Sequence, residues 1–165
     1  MNSIQISSIL KRTTVGGVFA SDKLPKEISI PKYVIIVNTD PSTKPGSHWV
    51  AIFISNGNAV DYFDSYGRPP VVNSIRTFLR KFPKIQINSI QVQGSFSSVC
   101  GHHSLYFAIQ RWNNIPMEEI VRKFSCDLEE NDAMVTEWIN DNFDLDTDTY
   151  DVEFLINQIC HAMST

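Results

Sequence analysis

The chain has 165 residues, of which 42% are hydrophobic, and a formal net charge of −4. This size is typical of one globular domain, so we expect a single domain over residues 1–165. There is no run of about 18 uncharged apolar residues, and the first residues lack the apolar core of a signal peptide. The three cysteines are odd in number and lack metal-type spacing. We therefore expect a protein with no membrane segment, not secreted, in a reducing compartment.

Positive and negative charges are distributed unevenly along the chain. Residues 1–116 contain 12 basic and 5 acidic residues, whereas residues 117–165 contain 2 basic and 13 acidic residues. Such an asymmetry indicates either an anionic partner on one face or two solvated helical surfaces.

The first elements are predicted to be a helix, a connector and a strand. Apolar residues at helical spacing behind Asn2 predict a short amphipathic helix that ends before Gly16. Two prolines interrupt residues 18–31, which we expect to be a loop-rich connector. Residues 33–38 form a compact β-branched run, which predicts a buried strand.

A β-hairpin is predicted next. A strand starting at His48 is followed by Asn56-Gly57 and by a second apolar run that ends at Phe63. Asn-Gly between two apolar runs is a strong hairpin signal. With this turn, two residues that face each other across the hairpin should have residue numbers that add up to about 113. His48 would then lie opposite about position 65, within one residue of Asp64, at the open end of the hairpin.

Residues 71–82 follow as a predicted helix with an apolar face. Four basic residues lie around its opposite side and end: Arg76, Arg80, Lys81 and Lys84. They suit either a contact with nucleic acid or an acidic peptide, or a solvated helix face.

The second half of the chain is predicted to be mainly helical. Further helices are expected at residues 100–113, 117–124, 131–140 and 150–162, with Pro116 suited to a first helical position. The acidic run at residues 144–148 has calcium-loop spacing, but Thr149 and Leu155 replace the required Gly and Glu, so no metal is expected.

Cys100 is the candidate nucleophile. A β-like run over residues 85–93 leads into a polar loop, and Cys100 begins the helix that follows. Free N–H groups and the positive end of the helix dipole favour a thiolate at such a position. A nucleophilic cysteine also needs a base and a residue that orients the base.

Four residues together supply this chemistry. His48 is the candidate base for Cys100, and Asp64 would fix the imidazole tautomer. The Gln93 side chain and the Cys100 N–H are the candidate oxyanion donors. Each residue alone has an ordinary structural explanation, such as a turn-forming aspartate or a surface amide. The combination, with the hairpin geometry, predicts a catalytic site.

The adjacent residues His102 and His103, just after Cys100, raise the possibility of a metal site. Adjacent residues on a helix point about 100° apart, so helix packing is the favoured interpretation.

The motifs resemble those of the adenovirus maturation protease (adenain) family. The similar features are His48-Trp49 opening a strand, Asp64 within residues 61–67, Gln93 seven residues before the nucleophile, and Cys100 followed by glycine. The order His, Asp, Gln, Cys is shared with SUMO and ubiquitin-like proteases. The resemblance covers residues 15–112, and residues 17–25 and 37–41 look most like the adenain-like proteases of Polinton/Maverick elements and virophages.

This resemblance implies a papain-like α+β fold, in which a mixed sheet is flanked by helices and the nucleophile lies at a helix N-terminus. It also implies a cysteine endopeptidase with a triad of His48, Asp64 and Cys100, acting in the virion and host cell. The expected substrates are capsid or other virion precursor proteins, cleaved at bonds flanked by small residues such as glycine.

Two departures concern cofactors. Adenain forms a disulfide with a peptide cofactor through a cysteine upstream of the nucleophile, and this chain has no cysteine before Cys100. Adenain also uses DNA through a basic surface, for which only the region of residues 76–84 is a candidate. No cofactor is therefore assigned.

Two alternatives remain open on the sequence. The same triad order would serve a deubiquitinase or deSUMOylase. The chain could instead be a catalytically silent, capsid-associated binding module that kept the fold, although the intact set of four residues argues against loss of activity.

Overall fold

The computed structural model describes residues 1–143. Their helices are α1 (Ser3–Thr13), α2 (Asn73–Leu79), α3 (Cys100–Trp112), α4 (Met117–Arg122) and α5 (Leu128–Asn142), with one 3-10 turn at Ser21–Lys23. Their strands are β1 (Gly16–Ala20), β2 (Lys32–Asn38), β3 (Trp49–Ser55), β4 (Ala59–Phe63) and β5 (Lys84–Ile87).

The five strands form one mixed sheet in the order β1-β2-β3-β4-β5. Strands β2, β3 and β4 are antiparallel neighbours, whereas β1 pairs with β2 and β5 pairs with β4 in parallel. The predicted α+β class, with a mixed sheet flanked by helices, is confirmed.

Helices cover both faces of this sheet. Alternate residues of a strand point to opposite faces, so Ile36 packs with α1, α3, α4 and α5 while Ile35 packs with α2. On the first face Phe63 of β4 stacks on Phe107 of α3, with ring centroids 4.4 Å apart. This packing fixes α3, which begins with the candidate nucleophile, against the β3–β4 hairpin.

The N-terminal helix is present as predicted. The Asn2 side chain accepts hydrogen bonds from the N–H groups of Ile4 and Gln5, and the Gln5 side chain accepts the Asn2 N–H in return. This reciprocal capping box satisfies N–H groups that a helix start leaves free.

Strand β1 was missed, because residues 18–20 belong to it and not to a connector. It is a five-residue edge strand with two glycines, so the sequence carries no alternating pattern. Gly16 lies so close to β2 that an added Cβ would collide with the Val34 carbonyl oxygen. The strand depends on pairing with β2, a contact that local sequence does not encode.

Other predicted boundaries also shift. The strand predicted for residues 85–93 ends at Ile87, after which the N–H groups of Val92 and Gln93 both donate to the Ser65 carbonyl. The helix predicted at 71–82 is shorter, spanning Asn73–Leu79. The helix predicted at 131–140 begins earlier, because Asp127 caps it. The helix predicted at 150–162 and the acidic run at 144–148 lie outside the described residues.

Within residues 1–143, none of the helices is both long enough and apolar enough to cross a membrane.

Candidate active site

The candidate site lies where the open end of the β3–β4 hairpin meets the first turn of α3. His48 directly precedes β3 instead of opening it, and Asp64 directly follows β4. Facing positions of the hairpin sum to 114, as in the pair Ala51 and Phe63, so the predicted sum of about 113 was wrong by one residue. The turn still brings His48 and Asp64 together.

His48 and Asp64 form a close, mostly buried pair. Nε2 of His48 lies 2.9 Å from Oδ1 of Asp64, and their side chains are 16% and 5% exposed. Tyr66 lies beside both residues: its N–H donates to Asp64 Oδ1 at 2.9 Å, and its ring centroid is 5.0 Å from that of His48. With Nε2 engaged by the carboxylate, Nδ1 is the imidazole nitrogen left for the thiol.

The backbone of Asp64 is held by Asn88, which follows β5. Asn88 Oδ1 accepts the Asp64 N–H at 2.8 Å, and Asn88 Nδ2 donates to the Asp64 carbonyl at 3.0 Å. Asn88 is buried. The main chain of Asp64 is thus fixed by Asn88 through both its N–H and its carbonyl, so its position does not depend on His48.

Cys100 is the first residue of α3 and is buried. Burial raises the pKa of its thiol, but His48 and the N–H groups of Trp49 and Gly101 outweigh burial, so the pKa falls below its usual range. Each of these three groups stabilises the negatively charged thiolate.

The pKa of His48 moves in the opposite direction. Burial lowers it, but Asp64 and Cys100 both favour the protonated ring and together raise the pKa of His48 to about 9. A lowered thiol pKa beside a raised imidazole pKa favours the thiolate–imidazolium pair over the neutral thiol and imidazole.

Gln93 is fully buried next to the loop that leads to Cys100. Its Oε1 accepts a hydrogen bond from Ser65 Oγ at 2.6 Å. Its Nε2 donates to the carbonyl and hydroxyl oxygens of Ser97, at 3.1 and 3.0 Å, and lies 3.3 Å from the Tyr66 hydroxyl. The structure therefore orients the amide firmly, with its donor end directed at the loop before the nucleophile.

Asp61, the other acidic residue of β4, takes no part in this arrangement. Its Oδ2 accepts a hydrogen bond from Arg111 Nε at 2.7 Å, on the face of the sheet that packs against α3. Asp61 is thus committed to a mostly buried ion pair that joins β4 to α3.

Sequence reasoning missed Ser65, Tyr66 and Asn88. Ser65 and Tyr66 follow Asp64 directly, so the motif around Asp64 was an available signal for them. Asn88 lies 24 residues from Asp64 and reaches it only through the pairing of β5 with β4. No local pattern would have indicated its role.

A groove of about 500 Å³ opens beside Cys100. Its lining includes Val18 and Ala20 of β1, Trp49 of β3, Ser98 and the loop that precedes His48. The missed strand β1 therefore forms one wall of the candidate site.

The histidines that follow Cys100 and the four basic residues at 76–84 take no part in the contacts of His48, Asp64 and Gln93. His103 is fully buried, and its Nε2 lies 2.8 Å from Asp132 Oδ1 on α5, in line with a packing role. Burial lowers the pKa of the neighbouring His102 to about 4. The four cations at residues 76–84 are all exposed.

Comparison with known proteins gives relatives among viral proteases, although no family model matches the chain. The chain is 35% identical over 113 residues to a protein of Acanthamoeba polyphaga mimivirus that is named as a thiol protease, covering 61% of this chain and 36% of that protein. It is 33% identical over 93 residues to a cysteine protease of African swine fever virus (isolate Tick/Malawi/Lil 20-1/1983), covering 48% of this chain and 34% of the relative. A protein named a SUMO-1 cysteine protease, from the isolate Tick/South Africa/Pretoriuskop Pr4/1996 of that virus, is 32% identical over 93 residues, with the same coverage.

Among solved structures, the crystal structure of the selenomethionine form of an African swine fever virus protease is similar. It matches with a TM-score of 0.56 and 18% identity, over 82% of this chain and 66% of that chain. The fold is thus the papain-like α+β fold of that protease. The chain is related to viral cysteine proteases, and it spans about a third of the length of the curated relatives that it matches.

Proposed function

We propose that this chain is a cysteine endopeptidase in which Cys100 is the nucleophile, His48 the acid and base, and Asp64 the residue that orients His48. The observation that carries the proposal is the convergence of the three residues: His48 Nε2 lies 2.9 Å from Asp64 Oδ1, and Cys100 is the first residue of α3 beside them. The pKa shifts agree with it, since the pKa of Cys100 is lowered and that of His48 is raised to about 9. Perturbed groups next to a groove are typical of catalytic sites.

The reaction begins when the Cys100 thiolate attacks the carbonyl carbon of the scissile bond. The carbonyl electrons move to oxygen, and the resulting tetrahedral intermediate collapses as the His48 imidazolium gives its proton to the leaving amine. The product is a thioester between Cys100 and the N-terminal fragment. His48, now neutral, takes a proton from water, which attacks the thioester and releases the carboxylic acid and the thiolate.

The negative charge on the carbonyl oxygen requires nearby donors. The Cys100 N–H belongs to the first turn of α3, where the helix offers no acceptor of its own. Gln93 Nε2 is the proposed second donor, because the Ser65 bond to Oε1 fixes which end of the amide faces the loop. Gln93 would exchange one of its Ser97 bonds for the oxyanion, so that this interaction is made mainly in the transition state.

The proposed substrates are capsid or other virion precursor proteins, cleaved at bonds flanked by small residues, within the virion and the host cell. Support comes from the motif resemblance and from the viral origin of the relatives. The same proposal includes a specific likeness to the Polinton and virophage enzymes and a single domain over residues 1–165. It also includes a contact with nucleic acid through four basic residues: Arg76, Arg80, Lys81 and Lys84.

The test combines the purified protein with the major capsid protein from the same genome and identifies the products by mass spectrometry. We expect new internal termini next to small residues with the wild-type protein and none with Cys100→Ala. Cleavage that persists in Cys100→Ala would overturn the assignment of the nucleophile.

A ubiquitin-like protease is the second candidate, because one set of relatives is named as SUMO-1 cysteine proteases. SUMO and ubiquitin fusions that end in Gly-Gly provide the discriminating substrates. Release of the fused partner with no cleavage of the capsid precursor would favour this candidate. Reaction of Cys100 with iodoacetamide at only the rate of a free thiol, without cleavage of either substrate, would favour a silent binding module.

A further inference from the structure

Asp132 on α5 contacts two segments that flank the candidate site. Its Oδ2 accepts the backbone N–H of Gly94 at 3.1 Å, and its Oδ1 lies 2.8 Å from Nε2 of His103. Gly94 directly follows Gln93, and His103 lies three residues after Cys100 on α3. One carboxylate therefore joins the loop before the nucleophile to the helix that begins with the nucleophile.

Asp132 Oδ2 also lies where a side chain at residue 94 would begin. A Cβ at residue 94 would lie 2.8 Å from Asp132 Oδ2, a distance that real Cβ atoms essentially never show. A larger residue at position 94 would therefore displace the Asp132 carboxylate from its present position.

The His103 ring is held in a defined state. It is fully buried and packs against Phe124 with ring centroids 5.5 Å apart. Burial lowers its pKa, although Asp132 opposes this effect, and the net shift favours the neutral ring. Within residues 1–143, Nδ1 has no hydrogen-bond partner, which fits a tautomer with its proton on Nε2. Asp132 then accepts one N–H at each carboxylate oxygen.

We propose that Asp132 is a positioning residue that holds the Gln93–Gly94 peptide against α3 and so sets the separation of the Gln93 amide from the Cys100 N–H. An oxyanion must accept from both donors at once, and a displacement of about 1 Å in such a site costs roughly 10²-fold in rate. The inference rests on the proposed function. It adds a residue from α5, outside the triad and the oxyanion donors.

Two substitutions of Asp132 separate positioning from general stability. Asp132→Ala removes both acceptors, so we expect kcat to fall by at least about 10-fold with little change in KM. Asp132→Asn keeps both contacts when its oxygen accepts from Gly94 and its NH₂ donates to His103 Nε2. The His103 proton then moves to Nδ1, which has no acceptor within residues 1–143, so the variant should be less stable although the loop stays anchored. We therefore expect Asp132→Asn to retain most of the activity. Glu137→Ala, which removes an exposed carboxylate from the same helix, is the matched control.

The experiment measures peptide hydrolysis, alkylation of Cys100 by iodoacetamide, and hydrogen exchange of the Gly94 amide in all four proteins. Alkylation needs the thiolate but no oxyanion donor. We expect Asp132→Ala to show the lowered kcat, to keep its alkylation rate within about twofold, and to exchange the Gly94 amide faster. A parallel loss of alkylation, or full hydrolysis in Asp132→Ala, would overturn the proposal.

Failure of the proposed function would be recognised separately. In that case the wild-type protein would hydrolyse no peptide. The hydrogen-exchange rate of the Gly94 amide would then show, independently of activity, whether Asp132 anchors the loop. Faster exchange in Asp132→Ala than in Glu137→Ala would support the anchor. Equal exchange in the two variants would refute it.

Discussion

Tyr66 donates its backbone N–H to Oδ1 of Asp64 over 2.9 Å, and the same oxygen lies 2.9 Å from His48 Nε2. The oxygen that orients the imidazole is therefore itself oriented by the backbone. With Asn88 holding the Asp64 main chain, the carboxylate is prepared for His48 before any substrate binds. Because the position of Asp64 is fixed in this way, a substitution that removes only its negative charge should leave its position unchanged.

Asp64→Asn tests this charge. An asparagine oxygen still accepts the Tyr66 N–H, but a neutral side chain no longer stabilises the His48 imidazolium. We expect kcat to fall by between about 10-fold and 10⁴-fold. Steady-state kinetics on a capsid-derived peptide measure the loss. Unchanged kinetics would remove Asp64 from the mechanism.

Asp61→Asn is the control for this experiment. It removes an equally buried carboxylate from β4, but one that is paired with Arg111 and not with His48. We expect nearly normal activity together with a lower melting temperature, because the substitution weakens a mostly buried ion pair. The reverse pattern, with Asp61→Asn inactive and Asp64→Asn active, would contradict the assignment.

Cys100→Ala should abolish hydrolysis while the protein stays folded. The replacement is small and apolar, so it removes the nucleophile and little packing. Losses of several orders of magnitude are typical when a triad nucleophile is removed. Circular dichroism checks the fold, and Cys126→Ala, at an exposed cysteine, is the control that should remain active. Activity above about a tenth of wild type in Cys100→Ala would point to another nucleophile.

Gln93→Ala should lower kcat by roughly 10²- to 10³-fold with little change in KM, because the proposed bond to the oxyanion is made in the transition state. The substitution also leaves Ser65 Oγ without its acceptor, so a lower melting temperature should accompany the loss of activity.

Gln91→Ala is the matched control. Gln91 is exposed, and its Nε2 donates to the Gln93 carbonyl at 2.9 Å, outside the hydrogen bonds of the Gln93 side chain. We expect a much smaller loss of kcat than in Gln93→Ala, because Gln91 contacts the main chain of the Gln93–Gly94 peptide and not the proposed donor amide. Sensitivity of Gln91 alone would show that the donor is misassigned. Insensitivity of both variants would leave backbone N–H groups as the oxyanion donors.

The sequence predicted the parts of the site that depend on local signals. Asn56-Gly57 fixed a hairpin, and the hairpin brings His48 and Asp64 together even though the predicted register was wrong by one residue. The position of Cys100 at a helix start followed from the change from polar loop to apolar helix. These features are encoded within a few residues of each other.

The parts that were missed depend on contacts between distant segments. Strand β1 forms by pairing with β2, and it lines the groove beside Cys100. Asn88 and Asp132 reach the site across 24 and 38 residues, through a strand pairing and a helix packing. Such contacts follow from the tertiary fold, so no spacing in the sequence indicates them.

The pH dependence of Cys100 alkylation tests the central claim most directly. The lowered Cys100 pKa keeps the thiolate as pH falls, and the raised His48 pKa, about 9, keeps the imidazolium as pH rises towards that value. Alkylation by iodoacetamide, read at Cys100 by mass spectrometry, should therefore persist well below the free-thiol pKa of about 8.5 and fall only as the thiolate protonates. In His48→Ala the midpoint should move back up towards 8.5. A midpoint near 8.5 in both proteins would contradict activation of Cys100 by His48.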